Sequence, residues 1–356
     1  HEFAGKRDET VDWAKRAAAF PTRNTKTVEL IDNLLSRLSI FSADRLELQR
    51  LDLDMLAQSA GRLADTELKR LLIRRLFETG NTRAVVKLME QVPTDTADSA
   101  MLGILGLTHA KLDKREQVEG VVQHLEKRND RAAIAWREIL SVFYLDEELP
   151  ARDLVENCKK YAEVDERNPY LTYYLGRASE RNGESGLALR TCSLAAQMAP
   201  LWGEPLLLAA QILSARGNVP AATVLAQQAL FRSPQDVYLA AAAAEIPGVD
   251  IELLSDAERG QLWDLVEKIQ SIRPMEPRTL PLLIEFLARR GHAPLAEKKL
   301  GAVLAGEEGL PEPTVLRLAQ ISRNFDLGQT DACYAYASRS FGSTPNLALE
   351  QALAAY

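Results

Sequence analysis

The chain has 356 residues, more than one compact domain usually contains, so its length predicts two domains or one elongated array. Its formal net charge is −7, and an acidic chain without a Lys/Arg block argues against nucleic-acid binding, which needs a basic face. The three cysteines lie far apart, which argues against a disulfide framework, and each is expected to be a buried apolar side chain. No apolar run approaches the length of about 18 residues that a transmembrane helix needs. We therefore expect a soluble chain, in the cytoplasm or the periplasm.

Residues 1–65 form the first predicted region, a set of N-terminal helices. Apolar residues recur at helical spacing over residues 8–20, 27–38 and 43–61, and strand-like alternation is absent. These helices carry no mark of a repeat. We expect them to precede a repeat array.

Residues 66–168 form the second predicted region, a series of degenerate helical hairpins. A turn at Gly80-Asn81 separates the two helices of the first hairpin. Gly103 and Gly106 lie within a helical pattern, so close packing of two helices explains them better than a dinucleotide-binding loop. The predicted hairpins cover residues 66–93, 99–130 and 131–168.

Residues 169–236 contain the clearest internal repeat, because residues 169–202 align with residues 203–236 at an offset of 34. The aligned identities are Gly183 with Gly217, Ala188 with Ala222, Ala195 with Ala229 and Pro200 with Pro234. The glycine suits a turn with positive φ, and the two alanines let the two helices approach closely. The proline stops the second helix. Each unit is therefore predicted to be a helix, a tight turn and a second helix.

This unit resembles the tetratricopeptide repeat, an antiparallel helix pair. Leu175-Gly176 match the Leu-Gly pair of that family, whereas Thr172, Ser179 and Cys192 stand where the family prefers large aromatic side chains. The second unit has Ala209-Ala210 in place of the Leu-Gly pair. The resemblance covers residues 169–236 and implies an all-α superhelix of antiparallel helix pairs, a tetratricopeptide-like solenoid.

Residues 237–356 are predicted to be degenerate C-terminal repeats. An Ala-rich helix is followed by a longer loop at Ile246-Pro247-Gly248, and a later hairpin turns at Gly291. Residues 347–356 have the pattern of the first helix of a further helix pair, and its apolar face would have to pack against another segment or another chain. Repeat arrays need polar terminal helices to remain soluble. We therefore expect that copies of this chain can associate with one another through their terminal helices.

Motifs for catalysis and metal binding are missing from the sequence. There is no phosphate-binding loop, no GxSxG elbow and no HExxH, and the four histidines show no metal-ligand spacing. His109 and His124 are expected on adjacent helices of one hairpin, as structural or surface side chains. Carboxylate pairs are interpreted as solvated surface. We therefore expect no enzyme activity, no catalytic residue, no metal and no cofactor.

The resemblance also implies where a partner would bind, because the first helices of successive units line the concave side of such a solenoid. Tyrosine and arginine are frequent anchors of protein interfaces. One subclass of the family binds chaperone tails through Lys and Asn at two groove positions, and neither residue type occupies those positions here. The side chains expected to face the groove are Tyr170, Tyr173, Arg177, Arg181, Glu204, Leu207 and Gln211.

The favoured function is a protein–protein interaction scaffold or adaptor that binds a peptide or a partner helix in this groove, within a larger bacterial complex. One alternative is an RNA-binding helical-repeat protein, against which the acidic charge argues. Another is a helical spacer or self-assembly domain of a larger envelope protein. Partner contacts near residues 170–215 would favour the groove, and contacts confined to the ends would favour the spacer.

Overall fold

The structure is a computed structural model that describes residues 2–19, 24–40, 42, 45–63, 66–92, 97–272, 276–306 and 309–355. Within these ranges every regular element is a helix and no strand is present, so the predicted all-α class is confirmed. Several predicted boundaries lie outside the described residues. These are Phe20, Ala43, Asp65, Pro93 and Tyr356.

The chain divides after Leu239 into two compact units. The first unit holds antiparallel helix pairs, and the hairpin predicted from the repeat at residues 169–202 consists of α10 and α11. The described helices of this unit are α1 (Glu2–Ala19), α2 (Thr25–Ser39), α3 (Arg45–Leu63), α4 (Thr66–Glu78), α5 (Thr82–Met89), α6 (Ser99–Lys111), α7 (Arg115–Glu126), α8 (Arg131–Tyr144), α9 (Ala151–Val164), α10 (Pro169–Arg181), α11 (Ser185–Met198), α12 (Glu204–Ala215) and α13 (Val219–Arg232).

The second unit begins within α14 (Val237–Ala244). A 3-10 turn at Ile251–Leu253 follows in the loop that the Pro-Gly sequence predicts. The remaining described helices are α15 (Asp256–Ile272), α16 (Leu280–Arg289), α17 (Ala293–Ala305), α18 (Glu312–Asn324), α19 (Thr330–Phe341) and α20 (Pro345–Ala355).

The glycines and alanines that define the repeat have the structural roles that the sequence predicts. Gly183 and Gly217 have φ values of 75° and 78°, a left-handed conformation that only glycine adopts without strain. Ala188 and Ala195 are fully buried on one face of α11. A Cβ atom at Gly176 would lie 2.9 Å from Thr191 Oγ1, so the small residue lets α10 and α11 pack closely.

Two hydrophobic clusters lie within the described part of the first unit. One joins the N-terminal helices α1 to α4, and the other runs through the later hairpins and includes Trp136 and Trp202. Gly103 lies against Trp136, where an added Cβ would come within 2.1 Å of the indole ring, which confirms helix packing as the reason for this glycine. Cys158, Cys192 and Cys333 are buried and unpaired, and burial raises the pKa of each thiol to about 12.

A buried charge cluster fixes α4 against α2 and α3. The Arg75 guanidinium donates to both carboxylate oxygens of Asp32, at 2.7 and 2.8 Å, and also contacts Asp52 and Glu78. Burial and the charge of Asp32 raise the pKa of Asp52 well above its usual value. Burial alone would raise the pKa of Glu78, but Arg74 and Arg75 lower it overall. The cluster therefore holds the position of α4 at the centre of the unit.

Candidate functional site

The predicted groove residues of the first repeat lie on α10, whose start is firmly capped. Asn168 Oδ1 accepts hydrogen bonds from the backbone N–H groups of Tyr170 and Leu171, at 3.0 and 3.3 Å. Pro169 occupies the first helical turn, where its missing N–H costs nothing. The following positions at intervals of three and four residues share one face of the helix. Along that face the tyrosines are buried, Arg177 is half-buried and Arg181 is exposed.

The two tyrosines belong to a buried aromatic cluster. Tyr170 and Tyr173 are 3% and 7% exposed, and each ring centroid lies 4.8 Å from that of Trp202. Phe77 and Trp136 complete the cluster, 5.7 and 6.0 Å from Tyr170. Tyr170 and Tyr173 therefore present no open surface to a partner, which corrects the sequence-based expectation.

The end of α4 covers this part of the inner face. The Tyr170 hydroxyl donates to Glu78 Oε1 at 3.3 Å, and Arg74 Nη2 donates to the carbonyl oxygen of Met198 at 2.8 Å. Ser233 Oγ donates to the carbonyl oxygen of Glu78 at 2.9 Å. Contacts between positions so far apart in sequence do not follow from a repeat pattern, which predicts only contacts between neighbouring units.

The groove positions of the next repeat have divergent environments. Leu207 is buried in the core, whereas Gln211 is exposed. Glu204 is half-buried and forms an ion pair with Lys111, whose ammonium group also contacts Asp236. Burial lowers the pKa of Lys111, but the two carboxylates outweigh it and raise the pKa overall. The Glu204 carboxylate is therefore already paired with Lys111 and does not offer its charge to a partner.

Arg177 and Arg181 stack on aromatic rings. Their guanidinium carbons lie 4.7 and 4.3 Å from the centroid of Phe143, so two cations share one ring. Arg177 also donates to the Tyr144 hydroxyl at 3.2 Å, and that hydroxyl lies 2.6 Å from the hydroxyl of Tyr174. We call Arg177 and Arg181, with the rings of Phe143, Tyr144 and Tyr174, the arginine patch.

The arginine patch has no carboxylate in direct contact among the described residues, although Glu204 and Glu180 act on Arg177 and Arg181, respectively, at longer range. Within the described part of the chain, no carboxylate forms an ion pair with either arginine of the patch. Other arginines of the same unit each have one, namely Arg70, Arg74 and Arg75. Burial and the positive charge of Arg177 lower the pKa of Arg181. An anion between the two guanidinium groups would relieve this repulsion.

The 34-residue repeat offset could have predicted the aromatic neighbours of Tyr170 and Arg177 from the sequence. Trp136 precedes Tyr170 by one repeat offset, and Phe143 precedes Arg177 by the same interval. Equivalent positions on successive first helices are neighbours in a solenoid. The aromatic cluster and the stacking of Arg177 could therefore have been found by extending the repeat alignment backwards, whereas the contribution of Phe77 could not.

No metal site is found in the part of the chain that the structure describes, where no group of three or more His, Cys, Asp and Glu side chains converges. His109 is buried, and burial and Lys114 lower its pKa. His124 is exposed, with Nδ1 2.7 Å from the carbonyl oxygen of Gly120. His124 therefore matches the expectation of a hydrogen-bonded surface histidine, whereas His109 is buried as expected but its Nδ1 has no hydrogen-bond partner among the described residues. None of the described helices is long and apolar enough to span a bilayer.

The last helix exposes apolar side chains. Leu347 is buried, whereas Leu349 and Leu353 of α20 are 59% and 54% exposed. Their exposure is consistent with the sequence-based expectation of self-association through terminal helices, which stays a prediction.

No family model matches the chain, and no curated protein matches it. Among solved structures, a chain of the APC/C hetero-tetramer Cut9–Hcn1 is similar, with a TM-score of 0.51 and 11% identity over 92% of this chain. The match spans 66% of that chain. Human IFIT1, solved as a dimer with m7Gppp-AAAA, matches with a TM-score of 0.43 and 15% identity, over 98% of this chain and 85% of that chain.

At these identities the likeness concerns the fold. The helix pairs, the turn glycines and the similarity to the Cut9–Hcn1 structure define an all-α, tetratricopeptide-like solenoid. The chain therefore has the fold of helical-repeat proteins.

Proposed function

We propose that this protein is an interaction scaffold that binds an acidic segment of a partner protein, as an extended peptide or a helix, at the arginine patch. The observation that carries the proposal is the pair of guanidinium groups stacked on Phe143 without a carboxylate partner. Gln211, which is exposed and lies one repeat offset after Arg177, extends the site onto α12. Binding is proposed here rather than catalysis.

The chemistry of the patch suits a carboxylate ligand. A guanidinium group presents a planar fork of donors that matches a carboxylate in two-point contact, and charge-assisted hydrogen bonds are the strong ones. Stacking on a ring holds the fork in place, so less side-chain freedom is lost when a ligand binds. The Tyr144 hydroxyl offers a further polar contact beside Arg177.

A protein partner fits the charge of this surface better than RNA. RNA binding without a basic face lacks the counterion release that drives it, and the chain carries a net charge of −7. Lys111, a further cation of this unit, is already neutralised by Glu204 and Asp236. A pair of arginines is enough for one or two acidic side chains but not for a phosphodiester backbone.

The test is a selection from a displayed library of random dodecapeptides against the full chain. We expect enrichment of Asp and Glu, and loss of binding by the enriched peptides in the variant Arg177→Gln/Arg181→Gln. The matched control is Arg190→Gln, which removes an exposed arginine from α11 of the same repeat. Enriched peptides without acidic residues, or equal binding by all three proteins, would refute the proposal.

A parallel arm uses a labelled single-stranded RNA at several salt concentrations. Tight, salt-dependent binding that the double variant abolishes would assign the patch to RNA instead. We expect no such binding.

A further inference from the structure

A surface cavity of about 380 Å³ lies in the second unit, away from the arginine patch in sequence. Its volume falls within the range of small-ligand sites. Three guanidinium groups and one aromatic ring dominate its lining. The residues are Glu252, Arg259, Arg289, Arg290 and Phe325, and we call them the arginine pocket.

Two of the three arginines are held in position by carboxylates. Arg259 is paired with Glu252 and with Asp256. Arg289 donates through Nε and Nη2 to a single oxygen of Glu285, at 3.1 and 2.9 Å, and stacks on Phe325 at 5.4 Å. Pairing fixes each guanidinium while leaving some of its five N–H groups without a contact to these carboxylates. Their carboxylate partners hold these two arginines in place and offset their charge, so they contribute N–H donors to the pocket rather than net positive charge.

Arg290 differs from the other two. Its guanidinium carbon lies 4.6 Å from the centroid of Phe286, whose ring stacks on Trp263 at 4.5 Å and an interplanar angle of 16°. No carboxylate forms an ion pair with Arg290 among the described residues. The aromatic pair stabilises the Arg290 charge without neutralising it, so Arg290 is the arginine of the lining that is most available to a ligand.

We propose that the arginine pocket binds a phosphate group carried on a small organic body, that is, a phosphomonoester. A phosphomonoester has three terminal oxygens and about −1.5 to −2 charge at neutral pH, so it can accept from more of the lining N–H donors than a carboxylate can. Glu252 in the lining opposes an anion, and its pairing with Arg259 offsets that charge. The cavity holds more than a phosphate ion alone, and Phe325 offers an apolar wall for the organic part. This proposal is independent of the function proposed for the arginine patch.

The phosphate could be carried by a small molecule or by a phosphorylated side chain of a partner protein. Isothermal titration of the full chain with O-phosphoserine, a short phosphoserine peptide, its unphosphorylated form and acetate distinguishes the two. We expect saturable binding of both phosphorylated probes and none of the other two. A phosphopeptide that binds more tightly than O-phosphoserine indicates a phosphorylated partner, and equal affinities indicate a small molecule.

The variants Arg290→Gln and Arg290→Lys separate the site from general surface charge. Loss of one charge-assisted contact predicts about tenfold weaker phosphate binding for Arg290→Gln, and a smaller loss for Arg290→Lys, which keeps the charge but lacks the fork. The control is Arg323→Gln on α18, an arginine outside the pocket lining whose contact with Glu350 is 4.0 Å long. No saturable binding, equal binding of acetate, or equal affinity in Arg290→Gln and Arg323→Gln would overturn the proposal.

Discussion

Two groups of cations in the first unit have opposite surroundings. Lys111 touches two carboxylates, Glu204 and Asp236, whereas Arg177 and Arg181 share an aromatic ring and touch none. Charge alone therefore does not identify a binding residue in this fold. The carboxylates that the chain supplies decide whether a cation joins helices or remains available to a partner.

Arg74 and Arg75 form a third group of cations, and like Lys111 they contact carboxylates. Two guanidinium groups there face three buried carboxylates, Asp32, Asp52 and Glu78. One carboxylate is in excess, and the raised pKa of Asp52 shows which of them keeps a proton most readily. Carboxylates outnumber cations at Lys111 and at Arg75, and the reverse holds at the arginine patch.

The largest effect is expected from Lys111→Met. The substitution leaves Asp236 and Glu204 without their counter-ion in a buried setting, which should lower the free energy of unfolding by about 3 kcal/mol. Urea unfolding measures the change, and Lys114→Met, at an exposed lysine just after α6, is the control. A cost no greater than that of the control would mean that Lys111 does not join these helices.

The double variant Arg177→Gln/Arg181→Gln should weaken binding of a partner and leave the stability of the fold nearly unchanged. Removing both donors of the patch predicts about 100-fold weaker binding of an acidic peptide, with a stability change within about 1 kcal/mol. Fluorescence anisotropy of a labelled peptide gives the affinity, and urea unfolding gives the stability. A large loss of stability with intact binding would reverse the roles assigned to the two groups of cations.

Because the cluster around Arg75 has one carboxylate more than it has cations, we expect the stability of the fold to depend on the protonation of Asp52. Because the folded-state pKa of Asp52 is raised above its usual 3.8, its stabilising contribution is present at acidic pH and declines as pH rises from the unfolded pKa through the folded one. Asp52→Asn removes this decline, so its stability relative to the wild type should improve as pH rises above the unfolded pKa of Asp52. Asp54→Asn, whose side chain is 62% exposed on the same helix, should show no such trend in thermal unfolding against pH.

The smallest effect is expected from Phe143→Leu. Loss of the ring beneath both guanidinium groups should weaken peptide binding by about 0.5–1 kcal/mol, since a cation–π contact at a partly exposed site is worth that much. Anisotropy with the same peptide measures it, and Phe341→Leu on α19 is the control. Unchanged affinity would mean that the ring does not position the arginines.

The sequence predicts the local fold well and the global contacts poorly. Turn glycines such as Gly183 and small residues such as Gly176 and Ala188 impose backbone and packing requirements that are readable from neighbouring residues. The contact of Phe77 with Tyr170 and Trp202 joins positions far apart in the chain, and no periodic pattern encodes it. The sequence therefore predicts an accessible Tyr170, whereas the structure buries it.

The same limit applies to the candidate site. The repeat alignment places Arg177 and Arg181 on the inner face of α10, and the structure adds the two facts that distinguish them. One is the stack on Phe143, which the repeat offset could have indicated. The other is the absence of a carboxylate within ion-pair distance among the described residues, which the sequence does not indicate because no periodic pattern predicts which charged side chains will pair in three dimensions.

The central claim is that the arginine patch binds an acidic partner while Lys111 only stabilises the fold. One titration of a labelled, library-selected acidic peptide into the wild type, Arg177→Gln/Arg181→Gln and Lys111→Met tests it directly, at a temperature where all three are folded. We predict about 100-fold weaker binding for the arginine variant and wild-type affinity for Lys111→Met. Equal affinity of the wild type and the arginine variant would contradict the account.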